Sequence, residues 1–175
     1  DSGRMDSVLY GIGMAYYRGE EFGQAVRAFE AVGSRYPLSG YTPAAYYLEG
    51  MSHWRLGRPE RAVEAFDKSV AADPASEHAH RALFGKSLAL LDLNDVPACR
   101  RALERFLARF PLDAKTDKVR GAVLLLDRHR ELPQSGRLRA YEFRCRIVQL
   151  QGPAGPGGAA CAPEGGPVPV RLRAH

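Results

Sequence analysis

The sequence predicts an all-α solenoid: three helix-turn-helix units, a capping helix, and a C-terminal segment of different character. Three observations carry this. Pro37, Pro74 and Pro111 recur at an interval of 37 residues, and each ends a helical stretch. Columns of like residues come round at the same interval: Gly13, Gly50 and Ser87; Ala25, Ala62 and Cys99; Phe29, Phe66 and Leu103; Tyr16, His53 and Leu90. Each period also holds two stretches with apolar residues every three or four positions, separated by a short break. Self-similarity at intervals of roughly 20 to 50 residues marks units that cannot cover their own apolar faces and must stack. Function is then expected on an extended surface rather than in one deep pocket.

In the first unit, Leu9, Ile12, Gly13 and Tyr16 lie at helical spacing. The break falls at Gly19 to Phe22, and Ala25, Phe29 and Val32 resume the period until Pro37 stops it. The second unit opens with Thr42, read as a capping hydroxyl, before Pro43, whose missing N–H is harmless at the first helical position. It continues with Tyr46, Tyr47, Gly50 and Trp54, breaks at Gly57 to Pro59, and resumes with Ala62, Phe66 and Val70. The third opens near Ser76, runs through Leu83, Phe84, Ser87 and Leu91, turns at Asn94 to Pro97, and continues over Cys99, Leu103 and Phe106. After Asp113, a plausible cap, residues 115–131 place Val119, Ala122, Val123 and Leu126 on one stripe. These form a seventh helix that covers the last unit.

Past Pro133 the pattern changes. Leu138, Ala140, Phe143, Cys145 and Ile147 interleave with Arg137, Arg139, Arg144 and Arg146, closer to period two. Two strands joined by the Gly/Pro-rich stretch 152–167, or a helix at 135–150 with a disordered tail, both fit. The chain therefore divides into a solenoid with its cap, residues 1–132, and an extension, residues 133–175.

Composition excludes several classes. The net charge of +5 is modest, its basic residues are scattered among acidic ones, and nucleic-acid binding through the four arginines of 137–146 is not favoured. No apolar run is long enough to span a membrane. The chain begins at Asp1 without a leader, so a targeting segment has been removed or was never included. Cys99, in a column of alanines, reads as a small buried residue, and Cys145 with Cys161 form a bridge only in an oxidising compartment. No nucleophile-and-base pattern, P-loop or metal motif is present: His78 and His80 point apart on a helix, and His53 reads as packing. No catalytic residue, metal or cofactor is expected.

The columns resemble the tetratricopeptide repeat. Counting from Asp6, Pro43 and His80, the family's bulky fourth position is Leu9, Tyr46 and Leu83, and its small eighth is Gly13, Gly50 and Ser87. Its small twentieth is Ala25, Ala62 and Cys99, its aromatic twenty-fourth Phe29, Phe66 and Leu103, and its closing proline Pro37, Pro74 and Pro111. The likeness covers residues 6–113. It departs at the seventh position, normally Leu, where Ile12, Glu49 and Lys86 stand; a Glu49–Lys86 contact between adjacent helices is the expected compensation. The closing phrases Arg35-Tyr36-Pro37-Leu38-Ser39 and Arg109-Phe110-Pro111-Leu112-Asp113 are similar to those of bacterial envelope members such as the Tol-Pal accessory protein and the outer-membrane barrel assembly lipoprotein. That likeness implies a periplasmic or envelope-associated location, with a cytoplasmic one left open.

The resemblance implies a concave groove lined by the first helix of each unit. Its positions here are Tyr10, Met14, Tyr17 and Arg18; Tyr47, Met51, Trp54 and Arg55; and Arg81, Phe84, Leu88 and Leu91. Rigid rings, adaptable thioethers and forked guanidiniums suit a protein or peptide partner of apolar and acidic character. Gly11, Leu48 and Gly85, with Met14, Met51 and Leu88, stand where chaperone-binding members carry carboxylate-clamp asparagines, so that ligand is not expected. The function implied is a non-enzymatic protein-binding scaffold. Its rival is an accessory domain of a larger enzyme or secretion protein.

Overall fold

Seven helices follow one another in a computed structural model that describes residues 2–112 and 116–128: α1 (Ser2–Arg18), α2 (Phe22–Arg35), α3 (Thr42–Arg55), α4 (Pro59–Ala72), α5 (Glu77–Asp92), α6 (Val96–Arg109) and α7 (Thr116–Arg128). Each packs on its sequence neighbours, and the first helices of successive units also touch, α1 against α3 and α3 against α5. Among the described residues no helix is long and apolar enough to cross a membrane.

The period is written into the backbone at the turn inside each unit. Glu20, Gly57 and Asn94 stand 37 residues apart, and their φ angles are +60°, +68° and +57°. One left-handed residue per unit reverses the chain, and only at Gly57 is it free of Cβ crowding against the backbone.

The helices of a unit meet where the first of them carries its smallest residue. A Cβ at Gly13 would fall 2.5 Å from the Phe29 ring, and one at Gly50 would fall 2.7 Å from the Phe66 ring. Phe66 is wedged from the other side as well, because a Cβ at Gly85 would lie 2.8 Å away. Unit three fills the same two slots with Ser87 and Leu103, both fully buried. Where the small residue gains a hydroxymethyl group, the large one loses a ring, which conserves the packed volume.

Helix starts differ in chemistry. Ser76 Oγ accepts from Ala79 N at 3.1 Å and Asp95 Oδ1 accepts from Ala98 N at 2.9 Å, both true N-caps. Thr42 corrects the expectation of a cap. It lies inside α3, and its hydroxyl donates backwards to the Tyr36 carbonyl at 2.7 Å, closing the loop between units. Two periods on, Thr116 makes the same bond to Phe110 at 2.9 Å; Ala79, at the intervening register, has no hydroxyl, and Ser76 serves instead.

The seventh helix is described over Thr116–Arg128, with Val119, Ala122 and Leu126 buried against the last unit; residues 115 and 129–131 of the expected span lie outside the described residues. Cys99 is fully buried and its thiol is pushed up to about 12, first by burial and then by Asp95, so it stays protonated. The expected Glu49–Lys86 contact does not form. Both side chains turn to α4 instead: Lys68 Nζ stands 3.8 Å from Glu49 Oε1, and Lys86 Nζ stands 2.5 Å from Asp67 Oδ1. Ile12, at the same register of α1, has no unit before it among the described residues and is 43% exposed. The Asp113 cap, the Cys145–Cys161 pair, the strand-or-helix alternatives and the boundary at 133 lie outside the described residues.

Exchange of volume between the slots is measurable. Gly50→Ala is expected to destabilise by about 1–3 kcal/mol through overpacking. Adding Phe66→Leu should recover part of this, giving a coupling of about 1 kcal/mol in urea unfolding. Strict additivity of the two changes would remove the wedge as the explanation.

Candidate functional site

The predicted groove residues form columns on α1, α3 and α5, and their exposure changes steadily along the stack. Tyr10, Met14 and Tyr17 are half-buried in unit one. Tyr47 is half-buried in unit two, while Met51 and Trp54 there are covered. In unit three Phe84, Leu88 and Leu91 are all buried in the main core cluster. Arg18, Arg55 and Arg81 are exposed.

Side chains from three helices converge at the middle of this face. Burial raises the Tyr17 phenol, opposed by the Arg55 guanidinium. Burial pushes Tyr47 up to about 12, the nearby Tyr17 phenol adds to this, and Arg81 opposes it. Both phenols are therefore neutral donors at physiological pH. Arg55 lies over the Phe22 ring at 4.8 Å and its Nη2 is 3.6 Å from Glu20 Oε1, a long pair that holds the guanidinium loosely at the surface. Arg81 pairs with Glu77 one turn back on α5. At the outer end of the face Tyr10 stacks on Tyr41, centroids 5.0 Å apart, with Arg18 close enough to oppose the rise that burial imposes on its phenol. The surface offers phenol donors, ring faces and fixed positive charge, which suits carboxylates flanked by apolar groups.

Five of the predicted groove residues are not presented in this way. Met51, Trp54, Phe84, Leu88 and Leu91 belong to the core. Trp54 is 9% exposed, and its indole N–H donates to Asp92 Oδ2 at 2.6 Å. Asp92 occupies the register of Arg18 and Arg55 one unit on, so the basic column ends in an acid that ties α5 to α3. The expectation of Trp54 as a groove-lining residue gives way to a structural one: an indole that joins two units through its ring and its N–H. His78 and His80 do not meet: His80 packs edge-on against Phe110 at 5.5 Å, while His78 lies 6.1 Å from Tyr47.

A second feature lies in a cleft of about 800 Å³ bounded by α2, α3 and α4, where the sequence reading takes His53 as packing and Glu49 as a partner of Lys86. Glu30, Glu49 and His53 each bring one ligand atom to within 4.8 Å of the others. Glu49 Oε2 and His53 Nδ1 are buried without a hydrogen-bond partner. Burial holds the Glu49 carboxyl up to about 7; Lys68 opposes this, while Glu30 and Glu64 add to it. Burial also lowers the His53 imidazole, against Glu30 and with Arg58, Arg61 and Lys68, so the ring is neutral at pH 7. The signal in the sequence was the seventh-position departure at Glu49, four residues before His53 on the same helix face.

Replacing Trp54 by Ala should cost about 3–5 kcal/mol of stability, read as a fall in the urea midpoint; a fully stable variant would return the indole to the surface. The raised Glu49 carboxyl sets a pH dependence. The folded state binds more protons than the unfolded chain between the ordinary carboxylate range and about 7, so the stability this group contributes is complete below that range and lost as pH rises through 7. In chelator-containing buffer, the Tm of Glu49→Gln should gain on that of the parent from pH 5 to pH 8; a constant difference would contradict the raised value.

The sequence profile described as tetratricopeptide repeat matches residues 10–77 and 47–98, which together span just over half of the chain. No curated protein matches it. The matched span is the one in which the small and aromatic columns interlock, from the middle of α1 to the start of α6. The chain therefore belongs to the tetratricopeptide repeat family.

Proposed function

We propose that the chain is a non-enzymatic scaffold whose first-helix face binds a protein or peptide segment carrying acidic and apolar side chains. Repeats of this family generally mediate protein–protein interaction, and its members are typically scaffolds without catalytic activity. The observation that supports this reading best is the meeting of Tyr17 and Tyr47 with Arg55 and Arg81, contributed by all three units. Rings held by packing lose little entropy when covered, and the guanidiniums beside them fork onto carboxylates. The docking area lies over units one and two, where Tyr10, Met14, Tyr17 and Tyr47 keep part of their surface.

The bacterial envelope is the setting that the closing phrases suggest. Those phrases also have a structural reason: Tyr36 and Phe110 follow the last residues of α2 and α6, and their carbonyls receive the Thr42 and Thr116 hydroxyls. The location rests on resemblance, whereas the binding face rests on geometry as well.

A peptide library displayed on phage and selected on the full chain tests the reading. Enriched sequences should combine Asp or Glu with Leu, Phe or Met. Tyr17→Ala should weaken the best peptide by about 2 kcal/mol, roughly thirtyfold in anisotropy titrations made well below the lowered melting temperature that loss of its packed ring brings, and Arg55→Glu should weaken it at least tenfold with its melting temperature little changed. Enrichment of basic peptides, or indifference to both substitutions, would overturn it.

A further inference from the structure

At the junction of units two and three, Lys86 of α5 reaches Asp67 of α4, its Nζ 2.5 Å and 2.6 Å from the two carboxylate oxygens. One period earlier the same two positions are Glu49 of α3 and Glu30 of α2. Two carboxylates meet where the next junction has an ion pair. A third group joins them, since His53 lies one helical turn beyond Glu49 and its ring also faces the cleft.

We propose that Glu30, Glu49 and His53 form a binding site for a divalent transition-metal ion, of which Zn²⁺ is the type, pinning unit one to unit two. The donor types and their spacing fit a cation. One ligand atom from each residue falls within 4.8 Å of the other two. Glu49 is 2% exposed and His53 7% exposed, and each carries a buried polar atom without a hydrogen-bond partner, Oε2 and Nδ1. A buried carboxylate and a buried imidazole left unsatisfied are costly unless something coordinates them. Lys68 relieves Glu49 only in part, because its Nζ is 3.8 Å from Oε1 and leaves Oε2 untouched.

The donor set selects the ion. Imidazole nitrogen favours zinc, iron, nickel or copper over magnesium and calcium, while two carboxylates supply the charge that neutralises a divalent ion. Three protein ligands leave one position for water in a tetrahedral site, and the open cleft supplies that water. Bonds of about 2.0 to 2.2 Å hold tetrahedral ligand atoms about 3.5 Å apart, so the three must draw in by roughly 1 Å. Glu30 sits on an exposed position of α2 and can make that movement by a rotamer change, while Glu49 and His53 stay fixed by packing. Arg58, Arg61 and Lys68 in the cleft wall oppose a cation, and Glu20, Glu21 and Glu64 in the same wall offset them, so binding rests on the short-range bonds to the three ligands.

Zn²⁺ alone, titrated calorimetrically into the full chain after treatment with chelator and dialysis, tests this. The parent should bind one ion saturably, and its Tm should rise with the ion present. Glu30→Gln, at an exposed position that does not threaten folding, and His53→Leu, the residue that unit three carries at this register, should each weaken that binding at least tenfold. They should also abolish the Tm rise. Co²⁺ in place of zinc should give visible d–d absorption that His53→Leu alters. Absence of a saturable site, or a site whose affinity and Tm effect are unchanged in Glu30→Gln, would overturn the assignment.

Discussion

The stack depends on a close approach of backbones: in each unit an aromatic or large aliphatic side chain of the second helix lies against a residue of the first that has almost no side chain. Phe29 against Gly13 and Phe66 against Gly50 leave no room for a methyl group. That approach fixes the angle at which the two helices of a unit meet, and repetition of the angle sets where every first helix faces. The convergence of Tyr17, Tyr47, Arg55 and Arg81 on one surface follows from it, as does the juxtaposition of α2, α3 and α4 around the cleft. Left-handed Glu20, Gly57 and Asn94 set only how the chain returns. What it returns to is set by the packing.

Much of this was legible because a period makes independent residues testify together. The glycine, alanine and phenylalanine columns pointed to helix pairs, and helix pairs are what α1 to α6 are. Polar partners were less legible. Thr42 has the residue type and the following proline of a capping position, yet its hydroxyl bonds backwards to Tyr36, a choice that depends on where the preceding loop closes. Likewise Glu49 and Lys86 sit one repeat apart and carry opposite charge, but both point to α4, where Lys68 and Asp67 offer shorter routes than the distance along the stack.

The face for a partner was half legible. Register identified the columns correctly as lying on the first helices, but register cannot say how much of a side chain the next unit covers. Tyr10, Tyr47 and Phe84 occupy one column, yet the first two keep exposed surface and the third does not. Trp54 illustrates the limit best: its partner Asp92 lies 38 residues on, in a column otherwise basic, and only packing of α3 on α5 brings them together. The cleft residues were hidden for the opposite reason. Glu49 and His53 share a face of α3 at a spacing of four, but Glu30 comes from α2, and no spacing along the chain ties it to the other two.

A chain made of near-copies faces a particular hazard while folding, because a helix can settle on the wrong sibling. The exchanged sizes of unit three guard against that outcome. Leu103 offered to Gly50 would leave a hole, and Phe66 offered to Ser87 would collide with a hydroxymethyl group, so the pairing of unit three is distinct from the Gly–Phe pairing that units one and two share. Variation within the columns thus serves as an address that keeps the helices of unit three from settling on those of its siblings.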